Sequence, residues 1–232
     1  FFTPDPAFNG KPRELVAGDF VYSFKRFMDP KLHSPWQFLL EGKITGLDEL
    51  ATEAQKSGRF DYDKKIEGLA AVDNYTLRIR LNAPDYNFNY IMAHASFGAL
   101  AREVVEAYNK DIIAHPVGTG AYLLKEWKRR NRIVLEANPG YRGFIWNFKS
   151  SDGPADEQLI REMQGKTMPQ IGRIEIGIIE EPQSIWLAFK GEQIEAVNVP
   201  QQFIGEALVD GQLAEPLRRE GIRLVRATDP EI

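Results

Sequence analysis

Three histidines, His33, His94 and His115, are the side chains best suited to metal ligation or to proton transfer near neutral pH. None has an acidic or histidine partner at i+3 or i+4, the spacing that sets two ligands on one helical face. They read as loop or surface histidines, and no metal site is expected. Carboxylates crowd together at Glu180-Glu181 and at Asp61 and Asp63. Acid–base hydrolysis needs two carboxyls facing each other across a cleft, one with a raised pKa, and adjacency along the chain does not supply that. Solvated charge is the simpler reading. No G-x-S-x-G elbow offers a serine nucleophile, and a chain without cysteine has neither a thiolate nor a disulfide. Gly118-Thr119-Gly120 has the opening of a phosphate loop. It lacks the third glycine and precedes a strand pattern instead of opening a helix, so a tight turn is expected there. Lys125, Lys128, Arg129, Arg130 and Arg132 surround Trp127. Such interleaving occurs in nucleic-acid binders, but here it falls on a hairpin turn of an acidic chain, where exposed charge is expected anyway. No catalytic residue, cofactor or nucleic-acid partner is expected.

With 14 Phe, 8 Tyr and 4 Trp, most rings must lie in the core. Trp36 is placed differently, after Ser34-Pro35 at the mouth of a short helix. A flat amphipathic ring in a loop can grip a ligand backbone without reading its side chains. Position alone still favours core packing, because tryptophan is highly buried on average.

The elements that must hold these residues begin with a helix over Asp19 to Phe27. Asp19 in its first turn and Lys25-Arg26 in its last both complement the helix dipole, and Asp29-Pro30 stops it. Further helices are predicted over Trp36 to Glu41 and Leu47 to Lys56. Ile66 to Val72 and Tyr75 to Leu81 form a hairpin whose second strand alternates, with Tyr75, Leu77, Ile79 and Leu81 on one face. Asp73-Asn74 is assigned a two-residue type I′ turn, with φ > 0 at both positions. Tyr86 to Met92 and Arg102 to Tyr108 are predicted helical. A second hairpin joins Ala121 to Trp127 with Ile133 to Ala137. The polar tract from Lys149 to Gln170 reads as an insertion with one helix, Glu157 to Met163. The remainder alternates: strand Ile174 to Ile179, helix Pro182 to Phe189, strand Ile194 to Val197, helix Gln202 to Val209 and strand Ile222 to Val225. The fold class is therefore mixed α/β, with antiparallel hairpins and a mixed sheet, and a lobe boundary near residue 115.

The chain has 232 residues and a net charge of −4, with 43% hydrophobic and 27% charged residues. These proportions exclude wholesale disorder, a coiled coil or a collagen-like rod. The acidity argues against a nucleic-acid binder, and no run of about 18 apolar residues is present to span a bilayer. The start at Phe1-Phe2-Thr3-Pro4, with no initiator Met or leader pattern, leads to the expectation that the chain is a piece of a longer protein.

The run from Ala17 to Pro30, AGDFVYSFKRFMDP, resembles the helix motif of the family 5 extracellular solute-binding proteins, the oligopeptide, dipeptide and nickel receptors of ABC importers. Three more segments agree in order and spacing: AVDNYTLRIRLNAP over residues 71–84, HPVGTGAYLLKEW over 115–127 and RIVLEANPGY over 132–141. Ala188 to Ala196 is similar to a later family segment. Three departures stand out. Val16 occupies the N-cap where the family has Thr or Ser, and losing a hydroxyl cap costs about 1 kcal/mol unless another group takes its place. The tract from Gly143 to Gly172 is longer than in many relatives, and Glu195 stands in place of the common Asp after one inserted residue.

The resemblance implies a periplasmic binding protein type II-like fold, with residues 1–115 as domain II and 116–232 as part of domain I. The downstream lobe (domain III) and the N-terminal part of domain I would then lie outside this chain. It implies a non-enzymatic, monomeric receptor, periplasmic or anchored at the cell surface, that captures a peptide or related small solute between lobes for a membrane permease. It also reverses the reading of Trp36, whose position lines the ligand cavity from domain II, and adds Asn198 at the cavity edge and His94 facing the interlobe region. Half a cleft desolvates its ligand poorly, so this chain alone is expected to bind weakly or not at all. Two other classes remain open: a hydrolase with an acidic pair in a cleft, and a non-catalytic interaction domain marked by one large apolar patch.

Overall fold

The computed structural model describes residues 1–149 and 154–226. In chain order the elements are α1 (Ala17–Phe27), α2 (Leu47–Ser57), β1 (Leu69–Ala71), β2 (Leu77–Ile79), α3 (Phe88–Met92), α4 (Arg102–Tyr108), β3 (Tyr122–Lys128) and β4 (Arg132–Ala137). They continue with β5 (Phe144–Ile145), α5 (Pro154–Met163), β6 (Thr167–Met168), β7 (Arg173–Gly177), α6 (Pro182–Lys190), α7 (Ile204–Ala207), β8 (Leu208–Val209), β9 (Gln212–Leu213) and α8 (Glu215–Arg219). The sheets are β1-β2, β3-β4-β7, β5-β6 and β8-β9. The chain divides into two compact bodies: residues 1–127 with 134–174, and residues 128–133 with the described residues from 175 onward. All of residues 1–115 fall in the first body, which continues beyond them.

The first body is organised around α1 and α2. On α2, Leu47, Leu50, Ala51 and Ala54 recur at i, i+3, i+4 and i+7, and all four are buried. They join Phe24 and Met28 of the α1 region, Leu40, Ile44, Phe60, Leu69, Phe88 and Phe97 in one core. A smaller cluster of Phe2, Phe8, Ala101 and Val104 ties the start of the chain to α4.

The N-terminus of α1 shows what replaces the missing hydroxyl. Val16 has no side-chain oxygen, but the Asp19 carboxylate accepts the Val16 N–H at 2.8 Å, half of a capping box. The Asn74 carbonyl accepts the Ala17 N–H at 2.7 Å, taking a second orphan donor. Arg13 holds the Asp19 carboxylate at 2.6 Å.

That same Asn74 contact accompanies a correction. β1 and β2 pair antiparallel with Leu69 opposite Ile79 and Ala71 opposite Leu77, and Val72 N–H donates to the Thr76 carbonyl at 2.8 Å. The loop is thus three residues, Asp73 to Tyr75, and not a two-residue type I′ turn. Neither Asp73 nor Asn74 has positive φ. The Asp73 carboxylate accepts the Tyr75 N–H at 2.8 Å, an Asx turn that reverses the chain without left-handed backbone. The alternation itself holds: Leu77, Ile79 and Leu81 pack on the core, while Tyr75, just beyond the pairing, is exposed. Gly68 is indispensable to this hairpin. A β-carbon there would overlap the backbone of Thr45, whose carbonyl accepts the Gly68 N–H at 2.9 Å.

Other elements are shorter than expected. The Trp36 to Glu41 helix is a single 3₁₀ turn, Gln37–Leu39, and α3 starts at Phe88. The predicted insertion carries α5, and its flanks pair as β5 and β6; residues 150–153 lie outside the described residues.

In the second body, Trp186 of α6 is buried against Ala207 and Leu217, with Phe189, Val197, Phe203 and Leu213 around them. Two expected strands, Ile194 to Val197 and Ile222 to Val225, are not formed among the described residues. A strand exists only through its ladder partner, and the side chains of Val197 and Ile222 are instead used for packing. The expected helix from Gln202 to Val209 breaks into a 3₁₀ turn, α7 and then β8. β8 pairs with β9 across Asp210-Gly211, both with positive φ (50° and 72°). Asp-Gly is the composition a tight hairpin demands, and it takes Leu208 and Val209 out of the helix.

Candidate functional site: an aromatic wall beside an apolar cleft

Trp36 opens the 3₁₀ turn. Its N–H donates to Ser34 Oγ at 3.3 Å, and its carbonyl accepts from Leu39 at 3.1 Å. The indole is 38% exposed, against the expectation of core packing drawn from position alone. It lies 4.7 Å from the His94 ring, tilted by 53°, and 6.3 Å from Phe38. His94 in turn caps the 3₁₀ turn Ala95–Phe97, its Nδ1 accepting the Ser96 N–H at 3.3 Å. That bond places the proton of the neutral ring on Nε2. Phe97, buried, stands 6.3 Å behind His94 and meets Phe24 edge-on at 5.6 Å. The rings thus run from the core to a half-exposed indole. A rigid amphipathic plate of this kind stacks on peptide planes and apolar side chains at small entropic cost.

Beside this wall is a cleft of about 810 Å³, bounded by the end of α1, residues 95–105 and 112–120, and β3 and β4. Trp36 and His94 do not line it, but Ser34 and Ser96, the serines that hold them, do. Its other polar side chains include Arg26 and His115. His115 stacks flat on Tyr108 at 4.0 Å. The Gly118 and Gly120 carbonyls accept from Thr3 N–H and Asn138 Nδ2, both at 2.9 Å, so this loop is tied down by its acceptors instead of presenting amides to an anion.

Of the three residues singled out by the resemblance, Trp36 and His94 come together in the first body. Asn198 belongs to the second, exposed between α6 and the turn Gln201–Phe203, with Val197 and Val199 packed on either side. Among the described residues no group of three His, Cys, Asp or Glu is placed to hold a metal. The Asp61 carboxylate accepts the N–H groups of Asp63 and Lys64. Asp63 is paired with Arg102, which pulls its pKa down, the opposite of what a general acid needs.

Sequence reasoning missed the different fates of Lys25 and Arg26, which it read only as dipole partners. Lys25 is buried and donates to the carbonyls of Tyr62 and Lys64 at 2.7 and 2.8 Å, and burial lowers its pKa. Tyr62 donates to Asp29 at 2.5 Å, and burial with that carboxylate pushes its pKa far up. These three bonds pin the 61–64 loop to α1 and to the turn that follows it. Arg26, one residue on, faces the cleft. The helical spacing of α1 carries the signal, since adjacent positions point about 100° apart.

A family model described as bacterial extracellular solute-binding proteins, family 5 (middle part), matches residues 9–223. The chain belongs to this family. Among family 5 relatives, the periplasmic oligopeptide-binding protein OppA of Escherichia coli K12 is 33% identical over 138 residues, 57% of this chain and 23% of OppA. The glutathione-binding protein GsiB of Salmonella typhimurium is 33% identical over 95 residues, 41% of this chain and 19% of GsiB. Haemophilus influenzae OppA, solved with the peptide RPPGFSPFR, superposes with a TM-score of 0.61 at 20% identity, over 92% of this chain and 35% of that one. The Escherichia coli murein tripeptide binding protein MppA gives 0.61 at 24% identity, over 85% and 34%. The fold is that of these binding proteins, and the matched stretch spans about a quarter of the curated relatives' length.

Proposed function

We propose that this chain is part of the substrate-binding component of an ABC importer, a non-enzymatic, monomeric receptor that captures peptides between lobes and delivers them to a membrane permease. Residues 1–115 form its domain II and residues 116–232 part of domain I. Trp36 and His94 face the ligand from domain II, and Asn198 contributes from domain I. The receptor works in the periplasm or anchored at the cell surface.

The observation that carries the reading is the Trp36–His94 plate, half-exposed at 4.7 Å separation, in a family 5 chain. An exposed, pre-positioned aromatic offers contact area to a backbone of any sequence, as a receptor for varied peptides requires. Closure of lobes around a hydrated ligand then supplies the burial. Membership of family 5 and the naming of OppA and GsiB for peptide and glutathione binding support a peptide-like ligand. The test is mass spectrometry of ligands that co-purify with the protein as its source organism expresses it, followed by calorimetry with the peptides found. Peptides are expected, and Trp36→Ala should weaken them about tenfold, the scale of an interface aromatic, without lowering the melting temperature. A co-purified sugar, haem or metal chelate in place of peptides would overturn the peptide assignment.

A further inference from the structure

Trp36 has little of its own to fix its orientation. Its backbone is held by Ser34 and Leu39, but its indole N–H meets no acceptor among the described residues, so ring contacts alone set the plane of the side chain. Two rings neighbour it. Phe38, at 6.3 Å, belongs to the same 3₁₀ turn and is itself 61% exposed, so it shares the loop's freedom and offers no anchor. His94, at 4.7 Å, comes from a separate part of the chain. Its Nδ1 accepts the Ser96 N–H, and Phe97 behind it is buried against Phe24 and Phe27, at 5.6 and 4.7 Å. Of the two neighbours, only His94 links the indole to the core.

We propose that His94, besides facing the ligand, is the positioning residue of Trp36: its ring, oriented by the Ser96 amide, fixes the plane that the indole presents to a peptide. Resting on the peptide-receptor reading, this role adds a regulation to it, because the fastening works only while the imidazole is neutral. A second proton must go on Nδ1, since Nε2 already carries one, and Nδ1–H then opposes the Ser96 N–H, donor against donor. The imidazolium is still attracted to the indole face, which keeps the rings together, but without the Ser96 bond their mutual angle is no longer set. No Asp, Glu, Lys or Arg is hydrogen-bonded or ion-paired to His94 among the described residues. Its neighbours are Trp36, Phe97 and the Ser96 amide, so nothing offsets the lost acceptor. A tryptophan ordered before binding spares the complex the cost of ordering it, worth about fivefold in affinity. Acid should therefore loosen the wall and weaken binding by about that factor.

The first test needs no ligand. The chain is labelled with 5-fluorotryptophan, and the Trp36 signal among its four tryptophans is assigned by its loss in Trp36→Phe. Between about pH 8 and pH 5, the span in which an imidazole changes charge, the Trp36 signal should shift in step with the His94 ring protons. It should also lose order in acid, read from its fluorine relaxation. His94→Asn keeps an acceptor for the Ser96 N–H but no ring, and His94→Phe keeps a ring but no acceptor. Both should abolish the pH response, and His94→Asn should leave Trp36 mobile at every pH. The remaining tryptophan signals report that each variant is folded. A Trp36 signal that ignores pH, or one whose order is unchanged in His94→Asn, would overturn the positioning role. The second test is calorimetry with trialanine, on the protein as its source organism expresses it. His94→Asn should weaken binding about fivefold, and should have no effect once Trp36→Ala has been made, the coupling expected of residues that act as a unit. An equal loss in both backgrounds would overturn the positioning role and leave the peptide reading intact. A wall that responds to pH through His94 in a protein that binds no trialanine would uphold the positioning role and count against the peptide reading.

Discussion

At α1, single side chains do several jobs at once. Asp19 caps the helix and holds Arg13, whose guanidinium also reaches Glu103 of α4 at 2.8 Å. That bond to Arg13 holds the Glu103 carboxyl below its ordinary value of 4.5. A carboxyl with a depressed folded-state pKa adds stability that is full above its unfolded value and is lost as pH falls through the folded one. Glu103 is half-exposed, so the contribution is that of a surface pair, about 0.5 kcal/mol. Glu103→Gln should therefore lower the urea midpoint at neutral pH, and the gap from the parent should close as the pH drops below 4.5. A gap that stayed constant down to strongly acid pH would show that the glutamate acts through packing instead of charge. Trp36 shows the limit of reading at this scale. Its loop position was legible, but its partner His94 lies far along the chain, and only the fold brings the two rings to 4.7 Å.

Among the elements, α1, α2, α4 and the β1–β2 hairpin could be read from periodicity and breakers, because each buries one face against a core supplied by its own body; the β3–β4 hairpin was legible from its turn and strand-forming residues. The errors cluster where local chemistry competes with pattern. Asp73-Asn74 looked like the left-handed turn, yet an Asx bond and the capping duty of Asn74 made a wider loop sufficient. The left-handed turn of this composition sits at Asp210-Gly211, inside a stretch read as the end of a helix. The β1–β2 hairpin also depends on a close approach that no periodicity reveals. Gly68 donates to Thr45, and its own carbonyl accepts from Arg80 at 2.9 Å. Gly68→Ala would drive a methyl into backbone that cannot rotate away, with Ile44 Cγ2 only 2.8 Å from the new carbon. We expect a loss of about 3 kcal/mol, the upper range for overpacking, read as a fall in the denaturant midpoint. A loss below about 0.5 kcal/mol, the level of an ordinary surface change, would mean the hairpin shifts freely and does not hold the core as described.

For the molecule as a whole, the two bodies differ in how much they bury. The main core of the first draws twelve buried residues from helices, hairpin and loops, and a second cluster supports it. The second body rests on Trp186, Ala207 and Leu217, with partly buried neighbours around them. Its helices are short, and two of its strand-like runs lack ladder partners among the described residues. Free energy of opening follows buried apolar area and protected backbone bonds, so stability within one chain is uneven and its weaker units open first. The second body should therefore exchange its amide hydrogens at lower free energy than the first. In native-state exchange under rising urea, amides of α6 and α7 should lose protection well before those of α1 and α2. Those of β1 and β2 should follow the latter, because Leu69 and Leu77 belong to the same core. Equal protection in α6 and α2 would instead require the bodies to unfold as one cooperative unit, in which the small Trp186 cluster borrows stability that its own burial cannot supply.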